Sequence, residues 1–463
     1  MSNTEFLSFH HKAEENFNKK AHELFSFLTS SPTKNPKPGF RGERPSREIG
    51  EVLEIGIGYV QKVKELLGIH FFHNRCQIGL DGENYQALDK LSRQIADHKA
   101  CKDRVSVRFA RETIFHWMKE RYLSSQDPES LAGDSGEIWI PKEPMEFFRD
   151  ACSKEVKERE YWIPVAGLEV QTQFSFAGII VLPITAQLFE SWFEWFPREE
   201  ERAAEFLERN RLEMQGLAAG YVKLEADKKK GEEEAFRRVD VAISLIRFFS
   251  PPAVTPELVS YCQPLGREHR RETRCIVRCE RAYSYTHGAA DSYQPWRIPD
   301  SRFDELNRMG FGVASYLVTH HSELSDFQKS LYGSLLLVSR SALQHDTEAR
   351  LLYLFAALES LLLMDRGDHP TSAVSERLAF FMKNDSKERR RIVRLVKDVY
   401  NTRSMFVHHG EKIPEDKMKN VRDFCVFAWS FFLLALGKCR DWKDKGEFLH
   451  FIDEKKYGGD SGC

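Results

Sequence analysis

The chain has 463 residues, 41% hydrophobic and 30% charged, a composition typical of a folded globular protein and not of a disordered chain. A chain of this length has room for two or three domains. Its 68 basic and 70 acidic residues nearly balance, which excludes a global attraction to nucleic acid, so any such attraction must be local.

The N-terminus and the apolar segments indicate where the protein resides. Residues 1–15 are polar and lack the apolar core of a signal peptide. The longest strongly apolar segment, 424–437, has 14 residues and is shorter than the ~20 of a membrane span. The nine cysteines show no framework spacing, which favours a reducing compartment. We therefore predict a cytoplasmic protein that does not enter a membrane.

The first 300 residues are predicted to form a mixed α/β region. Residues 1–48 read as an amphipathic helix and a basic linker rich in proline and glycine, and residues 49–300 read as a sensing or regulatory region. Alternating apolar residues predict strands within 161–184, and segments 138–140 and 274–285 are candidates for the same sheet. We expect the charged segment 197–249 to be rich in helix, with a solvated charge run at 227–234.

Two groups of residues in this region have spacings that raise the question of a metal. His70, His73 and Cys76 are three residues apart, as ligands on one side of a helix would be, but a fourth ligand is missing. Cys275 and Cys279 share one face of a predicted strand, which describes two packed thiols equally well. We therefore predict no metal and no cofactor.

Beyond residue 303 the sequence is predicted to be almost entirely helical. The expected helices are 304–320, 326–344, 346–364, 372–381, 387–407 and 415–443. Together they predict a helical bundle over 301–445, followed by a polar tail over 446–463. The fold class expected for the whole chain is thus α+β, with a mixed N-terminal region and an all-α C-terminus.

One helix of this bundle carries an arginine at a core-facing position. Ile392, Val396, Val399 and Phe406 recur at helical spacing, and Arg403 falls on the same stripe. A guanidinium keeps its charge and needs partners for its donors, so such an arginine calls for an anion. The helix is predicted to end just beyond it, where His408 and His409 precede a glycine, Gly410, that can adopt the left-handed cap.

The segment Tyr400-Asn-Thr-Arg-Ser-Met-Phe-Val-His-His-Gly410, together with Leu358-Glu-Ser-Leu-Leu362 in the preceding helix, resembles the Apea-like branch of the HEPN domains (higher eukaryotes and prokaryotes nucleotide-binding). The resemblance covers roughly residues 320 to 441. The ribonuclease motif of that family is an arginine, four residues and a histidine, and Arg403 and His408 match it.

The resemblance implies a HEPN helical bundle that acts as a metal-independent endoribonuclease. In this reaction the ribose 2′-hydroxyl attacks its own phosphodiester and leaves a 2′,3′-cyclic phosphate. His408 would move the proton, because imidazole titrates near neutral pH, and Arg403 would hold the phosphate oxygens. HEPN domains form dimers in which two motifs face one cleft, so a second copy would complete the site.

Other residues are candidates for supporting roles. Glu359 could orient Arg403 as a buried partner, although a surface glutamate is an equal alternative. Asn401, Ser404 and His409 lie next to the motif; Ser404 departs from the Asn, Asp or His often found there in the family. A separate candidate set for RNA binding, on the same helix face as Asn401, is Arg390, Arg394 and Lys397. A solvated helix face explains these three cations equally well.

Three functions remain open on the sequence. The first is an endoribonuclease that acts on tRNA or mRNA in antiphage defence by abortive infection, a toxin whose N-terminal region responds to a phage-derived or cellular trigger. The second is a non-catalytic HEPN module that binds RNA or a protein. The third is an enzyme whose site lies in the N-terminal region.

Overall fold

The computed structural model describes residues 8–32, 68–73, 76–126, 142–194, 201–267, 272–279, 282–289, 295–364 and 368–457. The chain is α+β, as predicted, with its strands in the first 300 residues and a helical C-terminus. It divides into two compact units, Met1–Arg159 with Lys223–Glu234, and Glu160–Val222 with Ala235–Cys463. The predicted boundary at 300 lies inside the second unit. The predicted linker is wrong at its start, because residues 30–32 belong to a strand; the rest of the linker and the predicted strand at 138–140 lie outside the described residues.

The first unit combines a small antiparallel sheet with helices. Its strands are β1 (Thr29–Pro32), β2 (Gly68–His73) and β3 (Cys76–Asp81), in the order β1-β3-β2. Its helices are α1 (His11–Phe25), α2 (Gly82–Ala96), α3 (Val107–Gln126) and α4 (Pro144–Glu155). Phe71 of β2, Leu80 of β3, Ile114 of α3 and Phe148 of α4 are fully buried in one core. The apolar faces of the sheet and the helices thus cover one another.

The helical interpretation of the first metal candidate is wrong. His70 and His73 lie on β2 and Cys76 begins β3, where it is the register partner of His73. His70 is buried, and its Nε2 lies 2.9 Å from Oδ2 of Asp81. No group of three or more His, Cys, Asp or Glu residues in a metal-binding arrangement is found in the described part of the chain.

The expectation that 227–234 is a solvated charge run is wrong at its first residue. Asp227 is 2% exposed, and its carboxylate accepts hydrogen bonds from the backbone N–H and the hydroxyl of Ser106. It also accepts from the backbone N–H groups of Lys229 and Lys230, in the first turn of the next helix, α7 (Lys228–Phe248). A carboxylate at a helix N-terminus satisfies donors that lack partners within the helix, which explains its burial.

The second unit contains the larger sheet. Its described strands are β4 (Lys157–Ala166), β5 (Leu168–Val170), β6 (Phe174–Phe176), β7 (Ile179–Pro183), β8 (Ala218–Ala226), β9 (Gln263–Pro264), β10 (Glu272–Cys279), β11 (Ala282–Ala289) and β12 (Trp296–Ile298). Five of them form one sheet, in the order β6-β7-β8-β4-β9. β4 and β8 run across the boundary between the two units.

One strand of this sheet was not anticipated, and one expectation about the sheet is wrong. Strand β8 lies within the helix-rich segment 197–249, between α6 (Glu201–Met214) and α7. Strands β10 and β11 form their own two-stranded hairpin and do not join the larger sheet. The strands predicted within 161–184 are confirmed, and they are followed by the short helix α5 (Ala186–Trp192).

The C-terminal part of the second unit is a helical bundle, as predicted. Its helices are α8 (Phe303–Arg308), α9 (Phe311–Thr319), α10 (Asp326–Ser341), α11 (Thr347–Leu362), α12 (Pro370–Met382), α13 (Ser386–His409), α14 (Met418–Gly437) and α15 (Lys445–Tyr457). Aromatic rings fill the core: Phe355 of α11 stacks on Phe424 of α14 with centroids 4.6 Å apart.

The prediction of a polar tail over 446–463 is wrong for most of its length. Helix α15 occupies Lys445–Tyr457, and its Phe448, Leu449 and Ile452 are buried. The ring of Phe448 lies 4.8 Å from that of Phe327 on α10. Its four strongly apolar side chains lie among many charged ones, which makes the apolar stripe difficult to recognise from the sequence.

One helical segment in the described part of the chain, Glu415–Gly437, is long and apolar enough to cross a membrane, with 23 residues and a mean hydropathy of 1.3. This revises the estimate of 14 residues for the apolar segment. The segment includes α14, whose Phe424 and Phe431 are fully buried in the bundle. The core helix of a soluble protein meets the same criteria, so the finding is weak support for a membrane span.

Candidate functional site

Helix α13 carries every residue of the predicted motif. It begins after Asp385, whose side chain accepts a hydrogen bond from the backbone N–H of Glu388 at 2.8 Å. It ends at Gly410, which is left-handed with φ 70°, and the N–H of Gly410 bonds the carbonyl of Phe406. Glycine adopts this conformation without steric cost, and the predicted C-cap is confirmed.

Burial changes abruptly along this helix. In its first part Ile392, Leu395, Val396 and Val399 are buried and hold the helix in the bundle. From residue 400 to the end, no side chain is buried. The apolar stripe predicted from Ile392 to Phe406 therefore reaches the core only in its first part. Phe406, like the arginine predicted on the same stripe, is half-buried.

Arg403 rests on the ring of Tyr400, one turn earlier on the helix. Its Cζ lies 5.6 Å from the ring centroid, a cation–π distance. The Nε atom of Arg403 is buried and has no hydrogen-bond partner. Among the described residues, no carboxylate lies within ion-pair distance of Arg403. The guanidinium thus keeps an uncompensated charge at a half-buried position.

Glu359 of α11 binds Tyr400 and not Arg403, which corrects the predicted partnership. The Tyr400 hydroxyl donates to Oε1 of Glu359 at 2.9 Å, and its ring packs edge-on against Phe355 at 4.8 Å. Burial, with the hydrogen bond to Glu359 and its negative charge, raises the pKa of Tyr400 to about 12. Glu359 therefore fixes the ring on which Arg403 lies. The sequence predicted no role for Tyr400. Its position three residues before Arg403 on a helix was nevertheless a usable signal that the two side chains are neighbours.

His408 and His409 are exposed in the last turn of α13. Their ring centroids are 6.5 Å apart. Five residues of ideal helix separate Arg403 and His408 by ~140° around the axis, so the two side chains leave the helix in different directions. Met405 and Val407, three residues and one residue before His408, are 41% and 45% exposed. This end of the helix therefore presents imidazoles and apolar side chains together.

Arg390, Arg394 and Lys397 form what we call the basic line. Arg390 and Arg394 are exposed, Lys397 is half-buried, and none of the three has an acidic partner among the described residues. Arg391, on another face, differs because it pairs with Glu388 at 3.4 Å. The basic line is thus a row of cations free to meet an anion.

The basic line continues to the motif along one face of α13. At ~100° per residue, Arg394, Lys397, Asn401 and His408 all lie within about 40° of Arg390. Asn401 is exposed, and Ser404, at the margin of this face, is half-buried. Arg390 and His408 are about 27 Å apart along the axis. The predicted RNA-binding residues and His408 therefore share a face, whereas Arg403 does not.

Two carboxylates secure the chain after His408. Asp398 of α13 accepts hydrogen bonds from Nζ of Lys417 at 2.6 Å and from Nδ2 of Asn420 at 2.7 Å. Burial raises the pKa of Asp398, but the two hydrogen bonds outweigh it, so the pKa is lowered. The backbone N–H of Ile413 donates to Glu348 of α11 at 2.9 Å. The segment after the helix is thus tied back to the bundle.

The cysteines of the N-terminal 300 residues give little support to a nucleophile. Burial raises the pKa of Cys101 and of Cys262 to about 12, despite opposing effects of Arg104 and Arg247. Such thiols stay protonated at neutral pH and behave as packed apolar groups. The side chains of Cys275 and Cys279, on β10, lie outside the described structure.

Comparison of the chain with protein-family models, with curated proteins and with solved structures finds no match. A function for this chain therefore rests on the geometry and chemistry of its own site.

Proposed function

We propose that the protein is a metal-independent endoribonuclease of the HEPN type whose composite site forms where the C-terminal ends of two α13 helices meet. The observation that carries the proposal is the exposed face of α13, where unpaired cations lead to His408. Phosphates attract such a row of cations, and an imidazole at its end is placed to act on the ribose.

The basic line supports binding of RNA in an extended conformation. Its three cations have no acidic partners, so phosphates would not have to displace existing ion pairs. Single-stranded backbone along α13 would pass Arg390 and Arg394 before it reaches His408. The exposed amide of Asn401 lies between the cations and His408 and can donate to phosphate or base oxygens.

The motif residues support two complementary roles in cleavage. His408 would exchange protons with the 2′-hydroxyl or the leaving 5′-oxygen, an effect worth ~10²–10⁴-fold in rate. Arg403, which keeps its charge and has no carboxylate partner, would stabilise the phosphorane. The hydrogen bond from Tyr400 to Glu359 would hold the ring beneath Arg403 and so limit its motion. Ser404 would assist at the margin of the site, whereas His409 leaves the helix about 100° away from His408 and is given no role in cleavage.

A second copy of the chain would complete the site. Arg403 and His408 leave one helix ~140° apart, so two copies facing each other bring them together more readily than one. The exposed Met405 and Val407 beside His408 offer apolar surface to such a partner. The reaction also needs both a base and an acid, which two His408 side chains would supply.

The cellular role is part of the proposal. A ribonuclease that attacks tRNA or mRNA in the cytoplasm would harm its own cell unless restrained. We therefore propose that it acts in antiphage defence by abortive infection, and that the N-terminal region responds to a phage-derived or cellular trigger.

A non-catalytic module is the second candidate, and the packing of Arg403 favours it. Because Arg403 lies on Tyr400 and Tyr400 is bound to Glu359, these three residues could form a purely structural network. The basic line would then bind RNA without cleaving it. The two candidates differ in whether RNA is cut.

The experiment is incubation of purified chain with total RNA and with tRNA in EDTA, followed by chemical mapping of the RNA ends. The variants are His408→Ala and, as a matched control, His409→Ala, which removes the neighbouring exposed imidazole. We expect wild type and His409→Ala to leave 2′,3′-cyclic phosphates, and His408→Ala to be at least ~10²-fold slower.

Light scattering of each variant shows whether the dimer is intact. The assay is run with and without lysate from phage-infected cells, which serves as a source of trigger. If a dimeric wild-type chain binds RNA but does not cut it under either condition, the result would support the non-catalytic module. Equal loss of cleavage in the two histidine variants would remove the specific role of His408.

A further inference from the structure

A cleft of ≈ 520 Å³ lies in the second unit, away from α13. It is lined by one face of α7, by β9 and the residues just after it, and by the end of α10 and the residues just after that helix. One part of its wall is apolar and consists of Val241, Leu336 and Leu343. The remainder is mostly polar and includes three arginines, Arg247, Arg267 and Arg340, so we call it the arginine cleft.

Arg247 is a buried cation without a carboxylate partner. It is 2% exposed, and its Nε donates to the carbonyl and hydroxyl of Ser339. Its Nη1 donates to the carbonyl of Cys262 and its Nη2 to the hydroxyl of Ser244. These contacts use three of the five N–H groups of a guanidinium, which leaves one on each terminal nitrogen. Burial lowers the pKa of Arg247 to about 10.

The other two arginines of the cleft are exposed to solvent. Arg340 is exposed and has no acidic partner among the described residues, and its charge acts on Arg247 to lower the pKa further. Arg267 pairs with Asp240 at 3.7 Å, and both are about half exposed at 54% and 46%. The lining contains three arginines and one aspartate, so it carries two uncompensated positive charges.

Arg350 shows that burial and carbonyl bonds alone do not make a binding site. It is 1% exposed and donates to the carbonyls of Pro252, Thr255 and Leu258, so it also lacks a carboxylate partner. Arg350 does not line the arginine cleft. Arg247 differs because it lies at the wall of a cleft beside a second unpaired arginine, where a ligand can reach it.

We propose that the arginine cleft binds a small organic phosphomonoester. A phosphomonoester is close to a dianion at neutral pH, which matches the two uncompensated charges, and the arginine forks can each hold two of its oxygens. The organic part would lie against Val241, Leu336 and Leu343. The volume lies within the ~300–1,000 Å³ of small-molecule sites. This site is separate from the proposed RNA site and does not depend on it.

The test uses thermal shift and titration calorimetry on the full chain. The probes are AMP and ribose 5-phosphate, with adenosine and inorganic phosphate as controls that each lack one half of the ligand. The variant is Arg340→Glu, which reverses an exposed charge in the last turn of α10. Its matched control is Arg308→Glu, an exposed arginine in the last turn of α8.

We expect AMP or ribose 5-phosphate to raise the melting temperature by about 2–4 °C or more at saturation. Adenosine should not bind, and inorganic phosphate should bind at least ~10-fold more weakly because it has no apolar part. Arg340→Glu should weaken phosphomonoester binding by about 10- to 100-fold, and Arg308→Glu should not change it.

Failure of both phosphomonoesters to bind wild type would overturn the proposal. Binding that is unchanged in Arg340→Glu would overturn it as well, because the ligand would then lie elsewhere. Neither result affects the RNA cleavage assay, so this site and the proposed nuclease fail or succeed independently.

Discussion

The two parts of helix α13 belong to one continuous helix but meet different surroundings. From 386 to 399 its apolar residues are buried and its charged residues are either paired or directed to solvent. From 400 to 409 no side chain is buried, and the arginine, histidines and apolar residues there have few partners. The first part explains why the helix exists, whereas the second part, beyond the contacts of Tyr400 with Glu359 and Phe355, has no comparable structural explanation. Residues that contribute little to stability are candidates for a functional role.

The largest expected effect is on stability, and it should separate the two parts of the helix. Ile392→Ala removes a fully buried side chain and should lower the free energy of unfolding by ~2–5 kcal/mol. Val407→Ala, at a side chain that is 45% exposed, should change it by no more than ~0.5 kcal/mol. Urea unfolding followed by circular dichroism measures both. Similar losses would mean that the C-terminal part is packed as firmly as the first.

The next effect concerns catalysis at the half-buried arginine. Arg403→Ala should slow RNA cleavage by ~10²–10³-fold, because the charge over the phosphorane is lost. Arg403→Lys should recover part of the rate, since it restores the charge without the bidentate fork. Neither should greatly change the melting temperature, because Arg403 forms no ion pair among the described residues. A large loss of stability with unchanged cleavage would make Arg403 a structural residue.

A smaller effect is expected where the two parts meet, at Tyr400. Tyr400→Phe removes the hydrogen bond to Glu359 and should cost ~1.5–3 kcal/mol, the range for bonds to charged groups. The pKa of Tyr400 is raised to about 12 in the folded chain and is about 10 in an unfolded one. The neutral phenol therefore contributes stability below pH 10, and this is lost as pH rises through 12.

Unfolding of wild type and Tyr400→Phe should be compared from pH 8 to 12. The difference in stability should be constant up to about pH 10 and then shrink. A difference that does not change with pH in this range would show that the phenol is not the group responsible.

The smallest effect should appear in RNA binding along the basic line. Each phosphate contact contributes about 0.7 to the slope of log affinity against log salt for a single strand. Arg394→Gln should therefore reduce the slope by about this amount. The matched variant Arg391→Gln, on the same helix but paired with Glu388, should reduce it less. The test is to measure RNA affinity at salt concentrations from about 50 to 300 mM, where counterion release dominates the salt dependence. Equal changes in both variants would mean that the basic line has no special role.

Much of the fold could be predicted from local sequence patterns. Most helices of the bundle have clear apolar stripes, and the end of α13 at Gly410 was recognisable, but segment 304–320 forms two helices, α8 and α9, and α15 was missed. Strand β8 was missed because it lies between two charged helices and its role depends on neighbours distant in sequence. The same limit applies to His70 and Cys76, which strand pairing brings into one hairpin.

The candidate site could be predicted in composition but not in its contacts. The alignment of Arg390, Arg394 and His408 on one face follows from helix geometry alone. Glu359 binds Tyr400 and not the predicted partner Arg403. This depends on how α11 and α13 pack, which no local pattern encodes. The arginine cleft likewise joins residues of α7, α10 and the segment after β9.

The most direct test of the central claim is cleavage of RNA in EDTA by an equimolar mixture of Arg403→Ala and His408→Ala chains. The two chains are unfolded and refolded together so that dimers exchange. Random pairing gives about half mixed dimers, in which one chain supplies Arg403 and the other supplies His408. We predict that the mixture cleaves RNA measurably faster than either variant alone, each of which is at least ~10²-fold slower than wild type. It should stay slower than wild type, because a mixed dimer keeps only one His408. A mixture that stays inactive while refolded wild type cleaves RNA would contradict a site shared between two α13 helices.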